Sequence, residues 1–555
     1  VDTKVNPSQF TLPKDALDSD GMVLKSDIIG LVNVFYNLGI DSFKNIKPIN
    51  PNEVEKILST NNFIELLEVK AVYEVINKLY NSYTMKETLA TLINNQIAKA
   101  KIKVTVNPDD LVLPKTALTN EAKIKKDELI TLLDIFYNLD VANFSDLKNI
   151  KTAEDIKKYL TQEYFEHMLD SEVIYYLVGY LPQSHKFRDK LARVLSDELN
   201  KQLKFDTTIL ADDLLLNKKN VLLTTGDYKG YVTKDELSLM YQAFNEINLN
   251  SFKGKSYTLI NNIVDELLRN TGDYRVIDKV LESNVLLVIL DRVLNVSENE
   301  HLEEVALKLI NKAISKAKIG TFEITKDDHI FNYHYSIIDS DNVISKDEII
   351  RIIEGLQAIK LSSTINIQTI TNLIDRNIVD GQDDFDRAFS SIILQSLATN
   401  AFTSDKLTNE LVIKLNNKQT KFKFTNEMIK VPETVIEDEL IKVKEIKLLF
   451  NALILLELEA MNLTDFSINT LTKLVGQNFV DGTDDLDRLL ESVIIHTYID
   501  RIIKSDSLSE LASRLATQVF NSDIRGVITR PENDQLDENS LFKKYEIRRL
   551  LIATQ

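Results

Sequence analysis

The run Val23-Leu24-Lys25-Ser26-Asp27-Ile28 returns as Ile124-Lys125-Lys126-Asp127-Glu128-Leu129 and as Val232-Thr233-Lys234-Asp235-Glu236-Leu237. It returns again as Ile344-Ser345-Lys346-Asp347-Glu348-Ile349, Ile441-Lys442-Val443-Lys444-Glu445-Ile446 and Phe542-Lys543-Lys544-Tyr545-Glu546-Ile547. In each, an apolar residue is followed four positions later by an acid and then by Ile or Leu. The acids fall at 27, 128, 236, 348, 445 and 546, so successive occurrences lie 97 to 112 residues apart. A fixed period of this kind marks one module copied in series.

A second anchor follows each of the first five after about forty residues. It reads Phe63-Ile64-Glu65-Leu66-Leu67-Glu68, Phe165-Glu166-His167-Met168-Leu169-Asp170-Ser171 and Ile277-Asp278-Lys279-Val280-Leu281-Glu282-Ser283. The last two are Phe385-Asp386-Arg387-Ala388-Phe389-Ser390-Ser391 and Leu486-Asp487-Arg488-Leu489-Leu490-Glu491-Ser492. Even a loop matches, Asn377-Ile378-Val379-Asp380-Gly381 against Asn478-Phe479-Val480-Asp481-Gly482. The two anchors predict a mainly α chain, a tandem array of five similar helical modules joined by short extended or β connectors. The modules are expected at 1–104, 105–205, 206–319, 320–422 and 423–526, with 527–555 as the start of a sixth.

Each module is expected to open on an alternating segment such as Lys101-Ile102-Lys103-Val104-Thr105-Val106 or Lys421-Phe422-Lys423-Phe424-Thr425, a short strand or extended connector. A proline follows at Pro13, Pro114, Pro432 and Pro531, which keeps the chain extended. Next comes a helix such as Ile28 to Leu38, with Leu31, Val32 and Phe35 at helical spacing. A short helix (Pro51 to Leu58), a third carrying the second anchor and a fourth, amphipathic one (Leu302, Val305, Leu309, Ala313) complete the unit.

Composition narrows the function. An apolar fraction of 44% and a charged fraction of 27% are ordinary for folded domains. The net charge of −18 repels phosphate backbones and anionic head groups, so no nucleic-acid partner is expected. The longest apolar run, Val285 to Leu290, is far too short for a bilayer, so no membrane insertion is expected within the chain. The absence of cysteine excludes disulfides, thiolate metal sites and cysteine nucleophiles, and points to an extracellular, cell-surface location. The start at Val1 and the stop at Gln555, just inside a sixth first helix, suggest a longer parent polypeptide.

Two clusters could hold a cation. Asp18, Asp20 and Asp27, with Gly21 between, follow the second half of a calcium loop, although its first position is Ala16. The paired loops Asp380/Asp383/Asp384/Asp386 and Asp481/Asp484/Asp485/Asp487 each bring four carboxylates within seven residues. Helix capping explains the same residues more simply. Thr233 to Glu236 and Ser345 to Glu348 read as capping boxes; Asp383 and Asp484 read as N-caps after a helix-closing glycine, a place Asn61-Asn62 takes near the first second anchor. Calcium apart, no cofactor is expected. The six histidines do not repeat between modules, and no catalytic serine, phosphate-loop or dinucleotide motif is present.

The proline-bearing lead-in, the acid-capped helix and the later apolar-apolar-acid-Ser signature resemble the tandem modules of very long surface proteins from low-GC bacteria of Firmicute and mollicute type. That resemblance implies an exported, non-catalytic structural protein that forms or decorates a surface layer or filament. Self-association or attachment to neighbouring surface proteins is then expected. The alternatives are an intracellular helical scaffold for a protein partner and the repeat region of a larger surface hydrolase.

Overall fold

The computed structural model describes residues 12–37, 60–83, 112–138, 160–203, 208–216, 221–251, 257–316, 322–361, 367–418, 422–456, 468–520 and 535–554, with isolated positions between 86 and 157. They are mainly helical, as the anchors predict. Two compact units form: Val1–Glu198 with Thr208–Asn250 and Thr271–Val288, and Leu199–Thr207 with Ser251–Asn270 and Ile289–Gln555.

In chain order the helices are α1 (Lys25–Asn37), α2 (Thr60–Glu68), α3 (Lys70–Tyr80), α4 (Lys126–Asn138), α5 (Gln162–Met168), α6 (Glu172–Tyr180) and α7 (His185–Leu203). Then come α8 (Lys234–Glu246), α9 (Tyr257–Leu267), α10 (Val276–Val280), α11 (Asn284–Leu294) and α12 (Glu300–Lys316). The next group is α13 (Lys346–Ile359), α14 (Ile367–Thr371), α15 (Asp384–Phe389), α16 (Ile392–Thr403) and α17 (Asp405–Lys418). The last are α18 (Val443–Leu455), α19 (Ile468–Leu474), α20 (Asp485–Leu489), α21 (Val493–Ile503), α22 (Asp506–Phe520) and α23 (Lys544–Thr554).

Every first anchor folds the same way: a tight turn closed by one antiparallel pair, then a helix. The pairs are Leu17–Val23, Leu118–Ile124, Leu222–Val232, Ile338–Ile344 and Leu536–Phe542. At the remaining anchor Ile436 pairs with Ile441 in a two-stranded ribbon. In three of the turns an aspartate organises its own loop. Asp18 Oδ1 accepts from the amides of Asp20 and Met22 at 3.0 and 2.9 Å, and Asp339 and Asp537 do the same in theirs.

The second anchor departs from expectation, because it is two helices rather than one. Short helices α5, α10, α15 and α20 stop before Ser171, Ser283, Ser391 and Ser492, whose hydroxyls accept the amide three residues on at 3.2–3.4 Å and so start α6, α11, α16 and α21. A helix interrupted by its own N-cap looks continuous to a periodicity count.

The lead-ins also differ from a paired strand. Phe422 to Thr425 have no regular secondary structure, and their backbone is pinned by a side chain: Asn416 on α17 donates to the Phe424 carbonyl at 3.0 Å and accepts its amide at 2.7 Å. Asn311 on α12 holds Ile324 in the same manner, at 2.8 and 2.7 Å. Pro13, Pro114 and Pro432 are extended as expected and precede single 3-10 turns. The expected strand at 101–106, the short helix at 51–58 and Pro531 lie outside the described residues.

Within the first unit, Leu67, Ile124 and Leu129 form a buried cluster against Phe63, Tyr73 and Ile76. In the second, Phe385 and Phe389 of α15 share a core with Ile446 and Leu449 of α18, and Leu486 and Leu489 of α20 with Ile547 and Leu551 of α23. In these three places the helix after a first anchor is buried against the second anchor that precedes it in sequence. Among the described residues no helix is long and apolar enough to cross a membrane.

Candidate functional site: a recurring junction

The two anchors meet. Glu128, Glu236, Glu348 and Glu445, the first-anchor acids of α4, α8, α13 and α18, are only 5, 5, 2 and 8% exposed. An ionised carboxylate taken out of water needs several donors. Each finds them at the N-terminus of the helix that the second-anchor serine begins. Glu128 accepts from the Ser171 hydroxyl at 2.6 Å and from the amides of Glu172 and Val173 at 3.0 Å. Glu348 accepts at Oε1 from the Ser391 hydroxyl at 2.7 Å and the Ile393 amide at 2.8 Å, while its buried Oε2 has no hydrogen-bond partner. Glu236 takes the Ser283 hydroxyl, the Val285 amide and the Asn284 side chain, at 3.1, 3.2 and 2.6 Å. Glu445 takes the Val493 amide at 3.0 Å. The helix dipole adds to the fit, since its positive end faces the acid. Burial pushes the Glu445 carboxyl above its ordinary range, against the pull of the Val493 and Ile494 amides.

The capping-box expectation is therefore half right. The Thr233 and Ser345 hydroxyls do accept the amides of Glu236 and Glu348, both at 3.2 Å. The glutamates do not reach back; they cap helices that begin 47 and 43 residues further on.

The first anchor pair differs at both ends. Asp27, one carbon shorter than Glu, faces a helix whose cap position is Val69 rather than Ser, and α3 has no side-chain cap. Asp27 is 6% exposed and its Oδ2 has no hydrogen-bond partner. Asn61 and Asn62, expected as caps here, lie inside α2.

The capped helix in turn grips the next first anchor. Eight residues beyond the cap position, a group accepts the amide of the residue that closes the following turn. Asn77 takes Ile124 at 2.6 Å, Asp291 takes Ile344 at 2.8 Å, Thr399 takes Ile441 at 3.0 Å and Asp500 takes Phe542 at 2.7 Å. At the equivalent Gly179 the main-chain carbonyl accepts from Val232, in an approach so close that a Cβ there would stand 3.3 Å from the Val232 oxygen. Four residues beyond the cap, a donor takes the carbonyl of the same residue: Tyr73 to Ile124, Tyr175 to Val232 at 3.0 Å, Gln395 to Ile441 at 2.8 Å and His496 Nε2 to Phe542 at 2.6 Å. Leu287 stands at that place in α11 and has no polar atom to donate. One helix face thus closes both hydrogen bonds of a single peptide position in the next turn.

The acidic loops are engaged by this same architecture. Asp383 and Asp484 are N-caps in full capping boxes with Asp386 and Asp487, as the capping reading expected. Lys447, one turn into α18, lies 2.8 Å from Asp383 and 2.9 Å from Asp386. Arg548 of α23 lies 2.7 Å from both Asp484 and Asp487. Asp384 is held by Arg376, Arg387 and Asn377, and Asp485 by Arg488 and Asn478. Asp380 and Asp481 are exposed tips with φ of 50° and 47°, followed by Gly381 and Gly482 at 80° and 85°. Two successive positive φ values make type I′ hairpin turns, so these glycines close hairpins rather than helices. Asp18 and Asp20 are exposed turn residues, whereas Asp27 is buried on α1. Among the described residues no group of three or more His, Cys, Asp or Glu is placed to hold a metal ion. No family model, curated protein or solved structure matches this chain.

Burial tends to raise the carboxyls of Asp383, Asp384 and Asp484, but Lys447 and backbone amides at Asp383, Arg376, Arg387 and Asn377 at Asp384, and Arg548 and backbone amides at Asp484 outweigh it and hold all three below the ordinary 3.8. A lowered folded pKa contributes stability that is complete above the unfolded value and lost as pH falls through the folded one. Melting of the chain should therefore be insensitive to these groups down to about pH 4 and fall below it. Asp383→Asn with Asp484→Asn should flatten that acid limb; an unchanged limb would discount these pairs.

The first junction offers a restoration test. Val69→Ser alone supplies a cap whose hydroxyl proton the shorter Asp27 does not reach, and Asp27→Glu alone extends the carboxylate by one methylene toward a cap position that has no hydroxyl. Together they rebuild the pair found at the other junctions. A double-mutant cycle read by amide exchange in α3 should give a favourable coupling of about 1–3 kcal/mol. Simple additivity would mean that the pairing contributes nothing.

Proposed function

We propose that the chain is a tandem array of five similar helical modules, bounded as the anchors suggest, and that it serves as a non-catalytic structural protein. In this reading it is exported and self-associates into, or decorates, a cell-surface layer or filament. The observation that carries the reading is the junction. A buried acid recurs at five matching sequence positions, the serine-capped helix at four of them, and the two-bond grip on the next turn at four, with a single bond at α11. A device that couples each segment to the next suits a chain that bears load along its length.

One surface feature supports association. The hairpin tips present Ile378 with Val379 and Phe479 with Val480, all more than half exposed. Arg387 and Arg488 brace the two hairpins by donating to carbonyls on both arms of each. Exposed apolar groups on braced turns are characteristic of contact sites. Weak contacts of this kind add along an array through effective concentration.

Sedimentation of the full chain across protein and salt concentration tests the proposal. With a net charge of −18, association should strengthen as salt screens repulsion between chains. Ile378→Asp with Phe479→Asp should weaken it at least about ten-fold, with folding stability changed by less than about 0.5 kcal/mol because the tips are exposed. A wild-type chain that stays monomeric at every salt concentration would count against self-association.

A further inference from the structure

Two places lie side by side at the junctions of the first unit: the residue five beyond the helix cap, and the residue just before the gripped one in the next turn. At the first junction they hold Glu74 and Lys123, an ion pair at 3.1 Å. At the junction of α6 they hold Tyr176 and Tyr231, whose ring centroids are 5.5 Å apart with the planes at 44°. Tyr180, one turn further along α6, lies parallel to Tyr176 at 6.3 Å and 14° and stands 5.3 Å from Tyr231. Tyr231 is 8% exposed and Tyr180 46%. The turn that delivers Tyr231, closed by Leu222 and Val232, is four residues longer than those closed by Leu17 with Val23 and by Leu118 with Ile124.

We propose that Tyr176 and Tyr231 are a covalent modification site, oxidised to an intrachain dityrosine that staples α6 to the turn leading into α8. The oxidant is hydrogen peroxide, acting through a one-electron carrier of the haem peroxidase class. Each phenol gives up one electron and its hydroxyl proton, and the peroxide takes both pairs and leaves as two waters. The two phenoxyl radicals join through ring carbons ortho to their oxygens. The hydrogens on those carbons then move to the oxygens and restore both phenols. One carbon–carbon bond has formed, and the chain has lost two hydrogen atoms.

The geometry supplies what such a coupling needs. Both rings sit on backbone that the grip holds still: the Tyr175 hydroxyl donates to the Val232 carbonyl at 3.0 Å, and the Val232 amide donates to the Gly179 carbonyl at 3.1 Å. Reacting groups fixed in contact couple far more readily than groups that must meet by diffusion. Burial, and then hydrogen-bond contact with the Tyr176 phenol, push the Tyr231 phenol above its ordinary value, so it loses its proton only together with its electron. Phenols in such contact have ortho carbons next to one another, as in the product, where the two hydroxyls flank the new bond. Tyr180 is the exposed member of the stack, through which oxidation enters and passes inward. The chain has no cysteine, so no disulfide can close this junction.

The full chain, kept dilute, can be treated with a haem peroxidase and limiting hydrogen peroxide, then digested and mapped by mass spectrometry. A monomer lighter by two hydrogens is expected, with dityrosine fluorescence and one dominant cross-linked peptide pair joining Tyr176 to Tyr231. Tyr176→Phe and Tyr231→Phe keep the rings and their packing, and each should lower intrachain dityrosine at least about ten-fold with circular dichroism unchanged. Tyr180→Phe should slow the reaction several-fold and leave the linked pair the same; an unchanged rate would overturn its role as the point of entry. Tyr36, Tyr83 and Tyr335 are 83, 62 and 75% exposed and serve as an internal comparison. Dityrosine formed through them, with none between Tyr176 and Tyr231, would overturn the proposal, because exposure and not geometry would then decide. So would intrachain dityrosine that both Phe variants at the pair leave intact.

Discussion

A carboxylate buried at the N-terminus of someone else's helix is the constraint on which this structure depends. Glu128, Glu236, Glu348 and Glu445 each leave water on one helix and accept from the first amides of another, Glu348 through Oε1 alone. Removing one partner of such a group leaves the other buried and unmet, at a cost of about 1–3 kcal/mol, more when the orphan is charged. Position is fixed on both sides, because the acid sits in the first turn of its helix and the serine ends a short one. The two helices therefore cannot slide or rotate independently.

The capped helix then fixes the next turn. Its residues four and eight places beyond the cap hold the carbonyl and the amide of one apolar residue, and the next acid comes four positions after that residue. Cap, helix, grip and next cap form a chain of dependencies. The chemistry of the grip varies freely among Tyr, Gln and His as donors and Asn, Asp, Thr and a bare glycine carbonyl as acceptors. What stays constant is the bond to the amide; the bond to the carbonyl is made at every junction except that of α11, where Leu287 has nothing to donate.

Much of this was legible in the sequence, but not its meaning. The period, the helical class and both anchors are visible because they repeat. Capping at Thr233, Ser345, Asp383 and Asp484 follows from local spacing alone. The long-range pairing of Glu348 with Ser391 was not found, because a capping box offers the glutamate a nearer partner and periodicity carries no information about contacts 43 residues apart. One signal was present: where Glu gives way to Asp27, Ser gives way to Val69. The hairpins at Asp380-Gly381 and Asp481-Gly482 could also have been found, since Asp-Gly between apolar residues is the signature of a type I′ turn. The carboxylates there looked like a cation site because the cations that hold them, Lys447 and Arg548, lie 61 and 64 residues away in sequence.

Amide exchange on Glu348→Ala tests the dependence most directly. The account predicts that the opening free energy falls by about 1–3 kcal/mol along Ile392 to Thr403 and, by a similar amount, at the Ile441 amide, which Thr399 of that helix accepts. Loss of protection confined to the first turn of α16, with Ile441 unchanged, would contradict it.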